Sequence, residues 1–342
     1  MRFLFADFFL AITLSVGVLY GDVLGYLVKQ AGGQARVILK AESRDSYLAK
    51  PETPPEHRQK LELVDEIRRF AFDSLGLKPN KSYLKVYDQK GQPLLWVITA
   101  SKKYALEPKT WKFPITGTVT YKGFFDKDDA GKEQQYLEAQ GYETRIREVN
   151  AWSTLGYLPD PILSEMLNGS VGDLANVIIH ELSHGTVFIS GDVEESENLA
   201  SFIGDVGAGI FLEKKFGAYS PELFEYKTAD EDYRKLAVHL LSGASVLDSL
   251  YTSDSFSALV PAEKDSVKTG YIRKIMKDMD TLSFSVPGRY GKLKNGKLPN
   301  NAFFIEFRQY NARQNKYYDE FVNAYNSNLP QYIAYLKTKF AR

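Results

Sequence analysis

The sequence predicts an α+β fold, a small N-terminal sheet followed by a mainly helical C-terminal part, and three observations carry that expectation. Strand-like runs cluster between Tyr83 and Arg147, apolar residues recur with helical period on either side of them, and an apolar stretch ending in His180-Glu181-Leu182-Ser183-His184 reads as a buried helix. With 342 residues, 44% of them hydrophobic, the chain can bury a sizeable core, so one unit with lobes is expected rather than several modules.

The elements follow in order. After Met1-Arg2, the run from Phe3 to Tyr20 is almost wholly apolar, broken only by Asp7 and small hydroxyl residues. It is long enough for a secretory h-region and close to the ~20 residues of a membrane span. Ser15-Val16-Gly17 has small residues at cleavage-type spacing, whereas Asp7 is awkward for a signal, so residues 1–22 are assigned to a signal peptide or a membrane anchor. Export, or anchoring at the membrane face, is the localisation expected.

From Pro54 to Leu77, Leu61, Leu63, Val64, Ile67, Phe70, Ala71 and Leu75 recur with a helical period behind Pro54-Pro55; His57 near the start is expected to be exposed. Strands are expected at Tyr83–Tyr87, Leu94–Ile98, Val119–Tyr121 and Thr144–Arg147, the first two joined as a hairpin through Gln89-Lys90-Gly91-Gln92-Pro93. Ala130 to Gln140 reads as a helix ending near Gly141. Beyond the motif, helices are expected over Pro221–Leu250, Ser257–Met279, Asn301–Tyr325 and Leu329–Phe340, with Asn300 or Asn301 as a cap whose free N–H groups could also face a peptide carbonyl or carboxylate. The sheet-containing part thus spans about 54–160 and the helical part about 168–342 of a single domain, 23–342.

The chemistry sits in the central motif. Residues four apart on a helix project from one face, so His180 and His184 can meet one metal ion, with Glu181 beside the open coordination position as a base for the attacking water. Leu174 to Ile179 supply the apolar lead-in, Ser170 and Asp173 the N-terminal signals, and Gly191 a stop. A catalytic zinc takes three protein ligands, and Asp192, Glu194, Glu195 and Glu197 are the candidates for the third. Glu197 is preferred because it opens a second helical stretch, Glu197 to Gly204, that would face the first across the ion; Asp192 is the runner-up, and Glu194 and Glu195 read as solvated turn charges. Ser201 and Asp205 follow at four-residue steps and could accept the remaining ring N–H of a histidine ligand. No histidine follows His184 closely, which removes the three-histidine class.

Composition narrows the alternatives. Lys+Arg and Asp+Glu both number 43, and without a basic excess nucleic acid is not the expected partner; the lysines at 102–103 and 292–297 read as solvated loops. Cysteine is absent, which excludes thiolate ligands, disulfides, a cysteine nucleophile and a lipidated cysteine. No Gly-x-Ser-x-Gly elbow supports serine catalysis. His239, on the apolar run Leu236 to Leu241, reads as a core residue.

The pair His180-Glu181-x-x-His184 and Glu197-x-x-Ala200 resembles the gluzincin arrangement of thermolysin-like and aminopeptidase N-like enzymes. More closely, the chain resembles a bacterial family of predicted zinc aminopeptidases, through Tyr26 to Gly33, Ile67 to Ala71, Trp111 to Gly117, Tyr121 to Phe125, Ser153 to Gly156 with Asp160-Pro161, the metal motifs and Asn300-Asn301-Ala302. That resemblance implies a zincin-like fold, Zn2+ at His180, His184 and Glu197, Glu181 as general base, and a peptide substrate trimmed from its N-terminus. It departs at Glu195-Ser196, where Phe-Asn is expected, and at Lys122, where a planar arginine fork becomes a point charge. In such folds a sheet edge can bind an extended substrate, here Val119–Phe125 or Ala151–Tyr157 by analogy. Among 22 tyrosines, Tyr121 and Tyr310, with Tyr157 behind them, are the candidates to stabilise the oxyanion. An endopeptidase or other zinc hydrolase, and a non-catalytic protein retaining the motif, stay open on sequence alone; oligomeric state is not legible.

Overall fold

The structure is a computed structural model that describes residues 25–113, 117–149, 158–189, 192–311 and 314–340. Its first half runs α1 (25–40), α2 (Arg44–Leu48), α3 (Glu56–Arg69) with a π turn over Phe70–Ser74, β1 (Val86–Tyr87), β2 (Leu95–Lys102), β3 (Trp111–Phe113), β4 (Gly117–Val119), β5 (Tyr121–Phe124), α4 (Lys127–Ala139), β6 (Tyr142–Val149) and β7 (Ile162–Leu163). The second half is helical: α5 (Val171–His184), α6 (Val193–Phe216), α7 (Pro221–Tyr251), α8 (Asp254–Ser257), α9 (Pro261–Asp278), α10 (Gly291–Asn295), α11 (Asn301–Asn311), α12 (Gln314–Tyr325) and α13 (Leu329–Lys339). The expected α+β order is therefore present, with the apolar run Phe3–Tyr20 and the segment Ala151–Tyr157 lying outside the described residues. No helix among the described residues is long and apolar enough to cross a membrane.

Local chemistry explains most boundaries. Pro55 precedes the first turn of α3, whose stripe of Leu61, Val64 and Ile67 is buried, and Arg68 and Arg69 sit in the last turn, where the helix dipole favours positive charge. In α4, Asp126 accepts from the backbone N–H of Asp128 and Asp129, and Gly141 at φ +83° turns the chain into β6. Ser220 caps α7 with Pro221 in its first turn.

The main sheet has the order β5-β2-β6, antiparallel throughout, with Thr99 opposite Tyr121 and Val97 opposite Arg147. Strand β2 is buried on both faces because α4 packs on the side of Ile98 and Ala100 while α11 also lies against it. The expected hairpin between the first two strand-like runs does not form. Lys90 (φ +53°) and Gly91 (φ +70°) do make the turn, but Val86 and Tyr87 pair in parallel with Ile162 and Leu163, and Val86 bridges Glu42. The physical reason is competition for backbone partners: β6 pairs with β2 over eight residues, Leu95 to Lys102, and β1 is drawn away by bonds from Tyr83 N–H to the Asp160 carbonyl and from Ile162 N–H to the Lys85 carbonyl. In the stretch expected as a helix from Asn301 to Tyr325, Asn301–Asn311 and Gln314–Tyr325 are helical, residues 312–313 lying outside the described residues.

Two further expectations are corrected. His57 is buried, its Nδ1 2.7 Å from the Tyr47 hydroxyl and its Nε2 2.9 Å from Asn168 Oδ1, so it ties α2 and α3 to the turn before α5 rather than facing solvent. Asn301, offered as a group facing substrate, is fully buried: its Oδ1 accepts from the Tyr251 hydroxyl at 2.8 Å, its Nδ2 donates to the carbonyls of Lys102 and Lys103, and its N–H donates to Glu143. Asn300 caps α11 as expected, its Oδ1 accepting from the N–H of Phe303, while its Nδ2 donates to the Thr144 carbonyl at 2.9 Å. Both build the joint between sheet and helices.

Lys122 is likewise committed. Its ammonium pairs with Glu133 at 2.8 Å and stands over the rings of Tyr26 and Phe124, while Glu133 also accepts from Trp111 Nε1. Tyr26 donates to the Gly123 carbonyl, so the stretches at 26–33, 111–113 and 121–125 form one packing unit that clamps α1 onto β5.

Candidate metal centre

Helix α5 is built to end where the chemistry is. Ser170 and Asp173 form a reciprocal capping box at its start, Leu174, Ala175, Ile178, Ile179 and Leu182 are buried along one side, and the helix stops at His184 with Gly185 as its C-cap. The stop comes before Gly191, which lies outside the described residues. Helix α6 starts at Val193, with the Asp192 side chain accepting from Glu195 N–H at 2.9 Å, and runs on to Phe216, well past the expected Gly204.

The two helices meet closely. A Cβ on Gly204 would stand 3.0 Å from His180 Cβ and 3.0 Å from Asn176 Oδ1, so only glycine lets α6 approach α5 at the first histidine. One turn before His180, Asn176 Nδ2 donates to Asp205 Oδ1 at 2.6 Å and lies 2.7 Å from the Tyr226 hydroxyl, which ties α5, α6 and α7 together. Gly204→Ala is expected to lower stability by about 1–3 kcal/mol through overpacking. It should also weaken zinc binding, because the helices carrying the ligands must part. Urea unfolding and a competitive chelator titration check both effects, and unchanged values in both would contradict the tight crossing.

Across that crossing, Glu197 presents one carboxylate oxygen to each imidazole. Its Oε2 lies 3.4 Å from His180 Nε2 and its Oε1 3.6 Å from His184 Nε2. Ligand atoms about 2.0–2.1 Å from an ion at tetrahedral angles stand about 3.4 Å from one another, and each of these two contacts, made through a different carboxylate oxygen, is close to that spacing. The imidazole rings are 5.0 Å apart and nearly perpendicular. His184 is 1% exposed, whereas His180 and Glu197 retain 16% and 24% of their side-chain surface, so the centre is closed on one side and open on the other.

Glu181 belongs to the same cluster, since ligand atoms of His180, Glu181 and His184 all lie within 4.8 Å of one another. Proximity alone would make Glu181 the third ligand. Glu197 faces the same two Nε2 atoms from a second helix. Burial pushes the Glu197 carboxyl up, but His180, His184 and Arg147 outweigh it and hold the group below its ordinary value, in the ionised form that binds a cation.

The other sequence candidates are placed as follows. Glu195, read as a solvated turn charge, is buried and bonded to the Tyr317 hydroxyl at 2.6 Å and to Lys316 at 2.8 Å, which pins α6 to α12. The Glu194 side chain lies outside the described residues. Asp205 is engaged by Asn176, and burial lifts its carboxyl to about 6; its charge also acts on His180. Ser201 is half-buried on α6. Tyr121 stands on β5, the edge of the sheet across β2 from β6. Tyr310 belongs to α11 by its backbone, its side chain being outside the described residues, as is Tyr157. His239, on α7, has Nε2 2.8 Å from the Ile275 carbonyl, a bond between helices as expected of a core histidine.

Sequence reasoning missed Arg147. It lies on β6, pairs with Glu306 of α11 at 2.6 Å together with Arg145, and its charge reaches Glu197. The alternation of Arg145 and Arg147 on one strand face was the available signal, but it names no partner. Asn176, four residues before His180 on the same helix face, could have been found from the helical period alone.

Comparison with known proteins adds one finding. A family model described as "Putative aminopeptidase" matches residues 25–340. No curated protein matches the chain, and no solved structure does.

Proposed function

We propose, from the premise that the chain belongs to the aminopeptidase family whose model spans it, that one zinc ion held by His180, His184 and Glu197 serves the removal of N-terminal residues from peptides. Family membership and the His-Glu-x-x-His cluster make the chain a zinc-dependent peptidase; the proposal adds the assignment of its residues. The observation that carries it is the pair of distances, 3.4 and 3.6 Å, from the Glu197 oxygens to the two Nε2 atoms.

Zinc bound there would supply a water whose pKa is lowered to about 7 and a Lewis acid for the scissile carbonyl. The chain's own residues do the rest. Glu181 takes the proton of the attacking water on a carboxylate oxygen and delivers it to the departing amine nitrogen, so one group serves as base and then as acid. Burial of His184 and the contacts of Asn176 with Asp205 and Tyr226 fix the direction from which the ligands approach. His180 and His184 favour the ionised form of Glu197, the charge of Arg147 adds to theirs, and Glu306 pairs with Arg147.

The reading includes export or membrane anchoring, supported by the apolar run Phe3–Tyr20, and the near-balance of charge supports a peptide rather than a nucleic acid as partner. The test is a panel of peptides with free and with acetylated N-termini, assayed with and without a chelator. Turnover of the free-amine set alone, lost with the metal, is expected. Equal turnover of both sets would make the chain an endopeptidase, and no turnover of either would sink the reading.

A further inference from the structure

Helix α1 has two uncharged faces, and the fold covers one of them. Tyr26, Gln30, Gly33 and Val37 turn inward. The Tyr26 hydroxyl and Gln30 Nε2 both donate to the Gly123 carbonyl of β5, at 2.9 and 3.0 Å. A Cβ on Gly33 would run into the Phe125 ring, and Val37 is buried in a cluster with Leu94, Leu95 and Leu163. On the opposite side Val28, Ala31, Gly32, Ala35 and Leu39 fall within about 100° of the helix circumference and are exposed, Val28 at 64% and Leu39 at 82%. Single exposed apolar side chains are ordinary, but a helix on a protein surface normally turns charged and polar residues outward. Here an uncharged stripe about three turns long takes their place.

The charges that α1 does carry are of one sign. Lys29, Arg36 and Lys40 are exposed along one edge of the stripe, and no acidic residue lies between Gly25 and Lys40. Lys29 is balanced by Asp129 at 2.6 Å, which leaves Arg36 and Lys40 as the outward cations. A partner that fits both stripe and edge is apolar within and anionic at its boundary. The chain itself brings such a partner near. Only Gly21-Asp22-Val23-Leu24 separate the apolar run Phe3–Tyr20 from the start of α1, a connection that spans less than about 20 Å even when fully extended.

We propose that the outer face of α1 lies in the surface of an anionic phospholipid bilayer, with its apolar stripe at the acyl-chain boundary and Arg36 and Lys40 against the headgroup phosphates. The inference rests on the membrane-anchoring form of the reading above and adds an interaction surface to it. Because Tyr26 and Gln30 fasten α1 to β5, a bilayer that holds α1 also holds the sheet, and the catalytic unit does not swing free on its link.

The chain has no cysteine, so nitroxide labels at Val28→Cys and Leu39→Cys report one at a time, without background, from the full chain in vesicles. In phosphatidylcholine containing about one-third phosphatidylglycerol, both labels should be reached by oxygen and shielded from a water-soluble nickel chelate. In phosphatidylcholine alone they should stay in water. Arg36→Ala and Lys40→Ala, each made in the labelled chain, should shift the ratio of immersed to exposed label about fivefold toward water. All four positions are exposed, so an unchanged melting temperature is expected of every variant. Labels that stay in water on anionic vesicles would overturn the inference, as would equal immersion in both lipids. Shielding accompanied by spin–spin broadening between chains would also overturn it, because a second copy would then cover the face. Any of these outcomes in a chain that floats with its vesicles leaves the anchoring reading standing. A chain that floats with neither kind of vesicle overturns the anchoring reading and this inference together.

Discussion

Glu181→Gln retains zinc and loses about 10²–10⁴-fold in kcat, the contribution of a positioned acid–base group. Glutamine matches glutamate in size and leaves the positions of His180 and His184 on α5 unchanged, so the ligand set survives while the proton acceptor is gone. The loss should appear in kcat and kcat/KM alike, because the proton moves only in the transition state. Metal analysis alongside steady-state kinetics checks this. A variant that turns over at wild-type rate would show that Glu181 is not the base, and one that loses its zinc would show that Glu181, not Glu197, completes the ligand set. The second outcome is a live test, because distance alone groups Glu181 with the two histidines.

Glu197→Ala should have the next largest effect. It removes the side chain that faces both Nε2 atoms, at 3.4 and 3.6 Å, and leaves two imidazoles at the helix crossing without a carboxylate. Zinc affinity should fall by more than the 10–100-fold, or about 1.4–2.7 kcal/mol, typical of losing an outer partner of a ligand. The fold should survive, since Glu197 keeps surface exposure and the α5–α6 contact is carried by buried apolar residues such as Ile178, Leu199, Phe202 and Ile203. Competition with a chromophoric chelator measures the change. Unchanged zinc content would exclude Glu197 as a ligand. Asp192 would be a poor replacement, because its carboxylate already caps α6 through the Glu195 N–H.

What could be read from the chain divides along the range of the interactions involved. The metal helix was legible because its evidence is local: a cap at Ser170, an apolar stripe, and two histidines four residues apart that a helix must bring to one face. Glu197 could be proposed for a similar reason, as the carboxylate on the first turns of the next helix, although that helix is three times as long as the stretch expected. Its length was hidden because α6 is apolar on several sides, packing against α5, α7, α11, α12 and α13, so no single stripe marks it.

Partnerships between distant segments were not legible. Residue preference shows that Val86-Tyr87 favours an extended chain, but not that Ile162-Leu163 will outbid the neighbouring strand for it. His57 looked exposed because it stands at the polar start of a helix, and only the folded chain brings the Tyr47 hydroxyl and the Asn168 amide to its two nitrogens. Glu195 looked like a turn charge for the same reason, its partners Lys316 and Tyr317 being far along the chain. Tyr83 is the extreme case, since nothing in the residue itself announces a positive φ; the Asp160 and Arg44 contacts impose it.

The most direct test of the account is the zinc content of the purified chain set against that of His184→Ala, with hydrolysis of a free-amine peptide followed through chelation and restoration of the metal. One zinc per chain, absent from the variant, with activity abolished by the chelator and regained on adding zinc, is the predicted result. Hydrolysis that persists in the metal-free chain, or zinc bound as tightly after the histidine is removed, would contradict a centre built from His180, His184 and Glu197.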